Sequence, residues 1–220
     1  MIKNRYLPTI TDKPWWLAGG ITPANCVVAW QPKGATSLSA SKINLANPGT
    51  YDLIDAGGTT IPSFSPSIGW SFDGQDDYLY STVIPNLNYT WSMLVSCSDV
   101  NTDSKAVVGV GGAGIFCFYI LRSSATKWQF AHKKYTEPLS TLTGGIFAIS
   151  GTNGFINGGS KFAMSTSGWD GVARAVYVGA LNADNTPTYF GKSKVHAISI
   201  YNVTITDTQV AAVTNAMQAL

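Results

Sequence analysis

The sequence predicts an all-β fold: a two-sheet antiparallel sandwich with an extended N-terminal arm and one short C-terminal helix. Charged residues make up 12% of the 220 residues, against a usual ~25%. Glycine, serine, threonine and asparagine are frequent. Roughly a dozen short apolar runs alternate with turn-forming segments, which is typical of a sandwich. Apolar residues recur clearly at helical spacing only near the C-terminus.

The first 24 residues differ from the rest of the chain. They contain three prolines and the Trp15–Trp16 pair, without a clear period, so we predict an extended arm over residues 1–24. Each tryptophan can bury on the order of 150–250 Å², so the arm packs on its own domain or docks on a neighbour. Because terminal arms are otherwise poorly ordered, we favour a neighbour and expect Tyr6, Trp15 and Trp16 to dock on it. Residues 25–220 are predicted to form a single domain.

The body of the chain reads as short strands separated by turns. An Asp-Gly turn in "DGQD" predicts that the runs 69–74 and 77–83 form a hairpin. In the run 89–97, alternate positions from Tyr89 to Cys97 carry apolar side chains, which predicts one buried face. In chain order, the predicted strands are 25–30, 69–74, 77–83, 89–97, 106–112, 114–122, 127–132, 144–151, 153–159, 174–181 and 195–201.

The last strand leads into the predicted helix. Thr206 and Gln209 stand three residues apart, which predicts a capping box at the start of the helix. An apolar stripe then follows at helical spacing: Val210, Val213, Met217 and Leu220. A helix of about three turns is unstable alone in water, so we expect it to pack on the sheet.

Composition also excludes several functions. A net charge of +2 does not indicate an electrostatic grip on nucleic acid or anionic lipid. Cys26, Cys97 and Cys117 lie in apolar runs and are expected to be buried thiols, with one disulfide plus one free thiol as the alternative. Two histidines do not favour a zinc site. No apolar leader or membrane-length run is present, so we expect a soluble chain made in the cytoplasm without a signal peptide.

Three segments resemble a known family in both motif and order. They are "GWSFDGQDDYLYSTVIPNLNYTWSMLVSCS" (69–98), "FAISGTNGFINGGSKF" (147–162) and the closing "AVYVGALN…VHAISIYNVTITDTQVAAV". Together they resemble the concanavalin A-like jelly roll of the laminin-G-like superfamily. The resemblance implies a jelly roll over residues 26–220, whose terminal strand runs into a short helix packed across the sheet edge.

This scaffold hosts lectins, hydrolases, adhesion modules and virion parts. The lead-in "AWQPKGATSLSASKINLANPGTY" (29–51) is similar to sequences of tailed-phage structural genes. We therefore expect a non-catalytic virion protein: a capsid decoration, a head-fibre component or a tail-fibre component. The expected location is the virion, and the expected partners are other virion proteins and further copies of the chain, with a trimer among the expected assemblies. The alternative is a carbohydrate-binding module of a secreted or cell-surface protein.

The carboxylates do not follow a catalytic pattern. Hydrolases on this scaffold cut glycans with two carboxylates, and the resemblance implies glutamates and an aspartate at alternate strand positions. The sequence has a single glutamate, Glu137, and no such pattern. Asp73, Asp76 and Asp77 share one tight turn, where local backbone hydrogen bonding is their expected role. No nucleophile–histidine–acid motif is present, so we predict that the chain is not an enzyme.

A host-surface glycan contact remains the expected second role. The candidate residues are aromatic side chains near amides or carboxylates: Trp169, Asp170, Asn185, Tyr189 and Trp128. Trp169 lies between glycines and is the leading candidate, with a structural covering role as the alternative. No cofactor is expected. Calcium remains open, because Asp73, Asp76 and Asp77 offer oxygen ligands in a short span.

Overall fold

The computed structural model describes residues 13–58, 60–86, 88–101, 105–112, 115–165 and 171–220. In chain order, these residues form two 3-10 helices (Trp15–Gly20 and Pro23–Asn25), β1 (Cys26–Trp30), α1 (Leu38–Ser41), β2 (Ile54–Asp55), β3 (Ser63–Ser65), β4 (Gly69–Asp73), β5 (Leu79–Tyr80), β6 (Ser92–Ser98), β7 (Lys105–Gly112), β8 (Ile115–Ser124), β9 (Lys127–His132), β10 (Lys134–Thr136), β11 (Gly145–Ser150), β12 (Asn153–Ile156), β13 (Ser160–Ala163), β14 (Tyr177–Val178), β15 (Leu181–Ala183), β16 (Thr186–Thr188), β17 (Lys192–Tyr201) and α2 (Asp207–Gln218). Within these ranges no helix combines the length and apolar character needed to span a bilayer.

Two sheets form the predicted sandwich. The first sheet has the order β13-β12-β11-β6-β17-β4-β3, with β1 also paired to β17. The second has the order β10-β9-β8-β7-β14-β5-β2, with β15 and β16 attached beside β7. The described pairs are antiparallel except β15 with β7. This arrangement confirms the all-β, two-sheet prediction.

Alternate strand residues fill the space between the sheets. Trp91, Met93, Val95 and Cys97 share one face of the first sheet and are buried there, as the alternation predicts. Trp128 from the second sheet stacks on Phe147 from the first, with ring centroids 3.8 Å apart. The inter-sheet core is therefore rich in aromatic rings.

The predicted hairpin between 69–74 and 77–83 is wrong. β4 pairs with β17 and β3 in the first sheet, whereas β5 pairs with β14 and β2 in the second. The connecting turn is held by Asp77, whose Oδ2 accepts a hydrogen bond from the Asp73 N–H at 3.0 Å. The chain therefore crosses from one sheet to the other through this turn.

The C-terminal helix begins with the predicted capping box. The Gln209 N–H donates to Thr206 Oγ1 at 3.2 Å, and the Thr206 N–H donates to Gln209 Oε1 at 2.9 Å. Val210 and Val213 are fully buried. α2 packs on β6 and β11, which lie inside the first sheet, so the helix covers a face of that sheet and not its edge.

The described part of the arm packs on its own domain. Residues 15–20 form a 3-10 helix, not an extended segment, and Trp15 is only 8% exposed. The Trp15 indole N–H donates to Gln31 Oε1 at 2.7 Å, and the Tyr201 hydroxyl donates to the Trp16 carbonyl at 2.9 Å. The expectation that Trp15 docks on a partner is therefore wrong, because its ring is used inside the domain.

Gly19 allows this helix to approach α2. A Cβ on Gly19 would lie 3.0 Å from both the Ala212 Cβ and the Gln209 Cα, and its φ of 70° suits glycine. The half-buried Trp16 stands edge-on to Trp15 at 5.5 Å. Tyr6 lies outside the described residues, so its predicted docking role stays a prediction.

Candidate functional site

The outer face of the second sheet carries a row of tyrosines. Residues directly opposite each other on antiparallel strands point to the same face of a sheet. Val176, Val178 and Phe118 point into the core, so their strand neighbours Tyr177 and Tyr119 point outwards. The row crosses β10, β9, β8, β7, β14 and β5 through Tyr135, Ala131, Tyr119, Gly109, Tyr177 and Tyr80.

Small residues let the large rings lie close to the sheet. Ala131 separates Tyr135 from Tyr119, and Gly109 separates Tyr119 from Tyr177. A Cβ on Gly111 would lie 2.6 Å from Cδ1 of Tyr119, so the Tyr119 ring rests on the glycine backbone of β7. Backbone glycines are required wherever a ring approaches this closely.

A compact aromatic group forms one end of the row. Tyr78 stacks on Tyr177 with centroids 5.1 Å apart and planes at 28°. Tyr80 is tilted against Tyr177 at 6.1 Å, and Phe190 is tilted against Tyr78 at 6.2 Å. Burial, followed by the neighbouring Tyr78 and Tyr80, raises the pKa of Tyr177. The phenol therefore stays neutral at physiological pH.

The opposite end is more open and carries polar groups. Tyr135 is 42% exposed and Tyr189 is 51% exposed. The Tyr119 hydroxyl donates to Gln129 Oε1 at 3.1 Å, and the Gln129 amide donates to a Glu137 carboxylate oxygen. Burial, which is the main cause, and neighbours that include Tyr135, Tyr189 and Glu137 raise the pKa of Tyr119. These side chains therefore form one connected polar and aromatic surface.

We name this surface the tyrosine face. Tyr189 belongs to it because it is among the neighbours that raise the pKa of Tyr119, and its backbone carbonyl accepts a hydrogen bond from the Ala106 N–H at 2.9 Å. Flat rings can stack on apolar ligand faces, while phenol hydroxyls and the Gln129 amide can bond ligand hydroxyls. Its members are Tyr78, Tyr80, Tyr119, Tyr135, Tyr177 and Tyr189.

The sequence candidates for glycan contact are found in different places. Asn185 is exposed in the β15–β16 turn, where Asp184 and Asn185 have φ values of 56° and 63°. Tyr189 follows the other end of this hairpin, after Thr188. Trp169 and Asp170 lie outside the described residues. Their roles stay predictions.

Trp128 is not available to a ligand, and its assignment is corrected. Its indole has no exposed surface, because it stacks on Phe147 between the sheets. Its N–H donates to the Leu142 carbonyl at 3.0 Å. The sequence pattern predicted the strand, but it did not show how the strand pairs with its neighbours. It therefore could not tell whether Trp128 points into the core or outwards.

Three aspartates meet at the turn that crosses between the sheets. Carboxylate oxygens of Asp73, Asp76 and Asp77 lie within 4.8 Å of one another. Asp73 and Asp76 are exposed and Asp77 is buried. Burial is the main cause that raises the pKa of the Asp77 carboxyl. Carboxylate oxygens are ligands that Ca²⁺ takes, and Asp77 directly precedes Tyr78 of the tyrosine face.

Sequence reasoning found Tyr189 but missed the other five tyrosines. A partial signal existed, since Tyr78 and Tyr80 alternate with Leu79 in a strand-like run. Tyr119, Tyr135 and Tyr177 sit in separate strands, and only the pairing register places them in one row. That register depends on contacts between distant segments, which a single sequence does not display.

Comparisons with known proteins support the fold. The chain is similar to a Trypanosoma rangeli sialidase in complex with 2,3-difluorosialic acid, with a TM-score of 0.60, 12% identity and coverage of 89% of this chain and 33% of that one. For the same organism's sialidase in complex with the inhibitor DANA, the TM-score is 0.57 and the identity is 11%, with coverage of 86% of this chain and 32% of that one. For a mutant of HCR/D, the TM-score is 0.56 and the identity is 11%, with coverage of 90% of this chain and 52% of that one. No protein-family model and no curated protein matches the sequence.

The chain spans about a third of the sialidase chain and about half of HCR/D. At 11–12% identity these likenesses show the fold alone, which is a β-sandwich. The jelly-roll architecture is consistent with that class. The activity of the sialidases does not transfer to this chain.

Proposed function

We propose that the chain is a non-catalytic, glycan-recognising β-sandwich that serves as a structural component of a bacteriophage particle. In this proposal the sandwich displays the tyrosine face towards sugars on the surface of the host cell. The particle component would be a capsid decoration, a head-fibre protein or a tail-fibre protein. Copies of the chain and other virion proteins would be its partners.

The tyrosine face is the observation that carries the recognition role. It combines two exposed rings, Tyr135 and Tyr189, with the Tyr119–Gln129–Glu137 hydrogen-bonded group. Sugars present apolar C–H faces beside hydroxyl groups, and the tyrosine face offers partners for both. Exposed aromatic surface on a charge-poor protein otherwise raises the risk of aggregation, so a ligand or partner explains it.

The arrangement of the carboxylates favours recognition over hydrolysis. The single glutamate, Glu137, accepts a hydrogen bond from Gln129 and lies 3.6 Å from the Lys127 ammonium. Asp73, Asp76 and Asp77 are gathered within 4.8 Å of one another. Retaining and inverting glycosidases separate their two carboxyl groups by at least about 5 Å across the scissile bond. The three aspartates instead share one turn, where Asp77 Oδ2 accepts a hydrogen bond from the Asp73 N–H at 3.0 Å.

The virion setting rests on sequence resemblance, not on geometry. The lead-in over residues 29–51 is similar to tailed-phage structural sequences. In the structure, part of that segment forms a well-bonded loop. Buried Asn44 bonds the Ala29 N–H at 2.9 Å and the Val27 carbonyl at 2.9 Å. The lead-in is thus an integral part of the domain.

A second candidate is a carbohydrate-binding module of a secreted or cell-surface protein. The packing of Trp15 favours it, because the described part of the arm is used within the domain. A self-contained module needs no arm to attach it to a particle. The tyrosine face serves this candidate equally well.

Glycan binding is tested on an array of bacterial surface polysaccharides. We expect the full chain to bind, and the double variant Tyr135→Ala/Tyr189→Ala to lose that binding. Asn215→Ala, at an exposed position of α2, is the matched control and should bind normally. Trp169→Ala tests the remaining sequence candidate. Unchanged binding by the double tyrosine variant would contradict the assignment of the site.

The setting is tested by immunogold electron microscopy of the native source. Label at fixed positions on phage particles supports the virion component. Label confined to cell surfaces or to the secreted fraction instead favours the carbohydrate-binding module.

A further inference from the structure

A second concave site lies away from the row of tyrosines, at the end of the sandwich where the lead-in meets β1 and β6. The groove encloses about 510 Å³, within the ~300–1,000 Å³ typical of small-molecule sites. None of the nine residues that line it is charged. Its recognition groups are Asn47, Tyr51, Trp91 and Asn202. We name this cavity the Tyr51 groove.

The polar side chains that line the groove include two amides, Asn47 and Asn202. Asn47 comes from the lead-in loop and Asn202 from the residue after β17, and both are exposed. A side-chain amide offers two N–H donors and one carbonyl acceptor, so it can bond two neighbouring hydroxyls of one ligand. The exposed ring of Tyr51 supplies apolar surface to the groove, and the mostly buried Trp91 also lines it.

Tyr51 is held firmly at the groove. Its φ of 61° is in the left-handed region, which is uncommon for a bulky side chain. Its carbonyl accepts hydrogen bonds from the Trp30 indole N–H at 3.2 Å and from the Ser81 hydroxyl at 3.0 Å. The core therefore fixes the backbone at Tyr51, so this segment need not be ordered when a ligand binds.

The wall that carries Asn47 is also preorganised. Asn44 is fully buried, and its amide donates to the Thr50 carbonyl at 2.8 Å. Asp52 accepts hydrogen bonds from the Asn44 N–H at 2.7 Å and the Gly49 N–H at 3.2 Å. These bonds close the loop on itself, so Asn47 is presented on a rigid support.

The remaining lining excludes other ligand classes. Without a charged side chain the groove has no counter-ion for a phosphate, a carboxylate or a cation. The Cys26 thiol donates to the Val28 carbonyl at 3.3 Å, and burial, the larger cause, raises its pKa to about 12. The thiol therefore stays protonated, and it is not a nucleophile or a metal ligand at neutral pH.

We propose that the Tyr51 groove binds one neutral pyranose unit, as a sugar subsite separate from the tyrosine face. Tyr51, which is 36% exposed, contacts the C–H surface of the ring, and Asn47 and Asn202 bond its hydroxyls. This inference rests on the proposed role in glycan recognition and adds a ligand class to it. The ligand is uncharged, since an acidic sugar would leave its carboxylate without a partner.

The test follows the side-chain amide signals of Asn47 and Asn202 in ¹⁵N-labelled full-length protein. The chain is titrated with glucose, galactose and mannose, and with N-acetylneuraminic acid as the charged comparison. We expect at least one neutral sugar to shift both amides, and the acidic sugar to leave them unchanged. Shifts by the acidic sugar alone, or no shift with any of the three neutral sugars, would overturn the groove.

Two variants separate the groove from the tyrosine face. Tyr51→Asn removes the ring but keeps a residue that tolerates a positive φ, and it should weaken the titration about tenfold or more. Tyr189→Ala should leave the groove titration unchanged. If the Tyr51→Asn variant responds to the sugar titration like the wild type, the groove inference is contradicted. In that case, loss of array binding in the tyrosine-face variant would still support the proposed function. Failure of the groove inference can therefore be distinguished from failure of the proposed function.

Discussion

The two outer faces of the sandwich differ in what covers them. The outer face of the first sheet is covered by α2 and by the 3-10 helix of Trp15, and the buried residues between them include Leu94 and Phe155. The outer face of the second sheet has no helix packed on it among the described residues. Tyrosines occupy it instead: Tyr135 and Tyr189 are 42% and 51% exposed, whereas Tyr119 and Tyr177 are buried among their neighbours.

Under the proposed function, the two outer faces separate stability from recognition. Apolar burial under α2 contributes at about 25 cal/mol per Å², so the covered face helps to hold the domain together. Tyrosine has an apolar body and a polar tip, so the open face can stay hydrated until a ligand arrives. Substitutions of buried residues on the covered face should therefore destabilise the protein strongly, and substitutions of the exposed Tyr135 and Tyr189 should leave it folded.

The largest effect is expected at Trp15. Trp15→Ala should lower the free energy of unfolding by about 3–5 kcal/mol, because a large ring leaves a buried site. Urea denaturation followed by circular dichroism measures this loss. If the variant unfolds at the wild-type urea midpoint, the covered face is not sealed by the arm and the comparison fails.

The second effect concerns acid stability beneath the tyrosine face. His132 is fully buried, and burial, the main cause, lowers its pKa to about 4 from an ordinary 6.5. Between these values the unfolded chain binds a proton that the folded chain does not, so stability falls as pH decreases from about 6.5 to about 4. The loss approaches about 3 kcal/mol at the acid end.

Denaturation at a series of pH values measures this slope. His132→Gln should reduce it, leaving the smaller contribution of His196, whose pKa burial also lowers. A variant with the full wild-type slope would mean that His132 is not the group responsible.

The third effect sharpens the role of α2. Thr206→Ala removes one half of the capping box and should cost about 1 kcal/mol. Thr208→Ala, at an exposed position in the first turn, is the control and should change stability much less. Because alanine has the higher helix propensity, equal losses in the two variants would show that the loss in Thr206→Ala is not specific to the cap.

The smallest effect on stability is expected on the open face. Tyr135→Ala should change the free energy of unfolding by no more than about 0.5–1 kcal/mol, as exposed substitutions usually do. Glycan binding by the same variant should fall about tenfold or more. A large loss of stability with normal binding would reverse the roles assigned to the two faces.

Local sequence patterns predicted much of this fold. The capping box at Thr206 and Gln209, the inward face of β6 and the bounds of β9 follow from patterns within a few residues. The two-sheet class followed from composition and turn spacing. These features depend on neighbouring residues, which a sequence displays directly.

Long-range pairing accounts for the errors. The Asp73–Asp77 turn looks like a hairpin, but its two strands belong to different sheets. Trp128 occupies an inward position, and Trp15 packs under α2, because of partners far along the chain. The tyrosine face exists only through the register of six strands. Local spacing carries no record of these contacts.

Hydroxyl-radical footprinting read by mass spectrometry tests the contrast between the faces most directly. In the free chain, we predict fast oxidation of Tyr135 and Tyr189 and slow oxidation of Trp15 and Tyr201. A polysaccharide that binds on the array should protect Tyr135 and Tyr189 from oxidation and leave the oxidation of Trp15 and Tyr201 unchanged. Fast oxidation of Trp15, or binding that leaves Tyr135 and Tyr189 unprotected, would contradict the division between a sealed face and a recognition face.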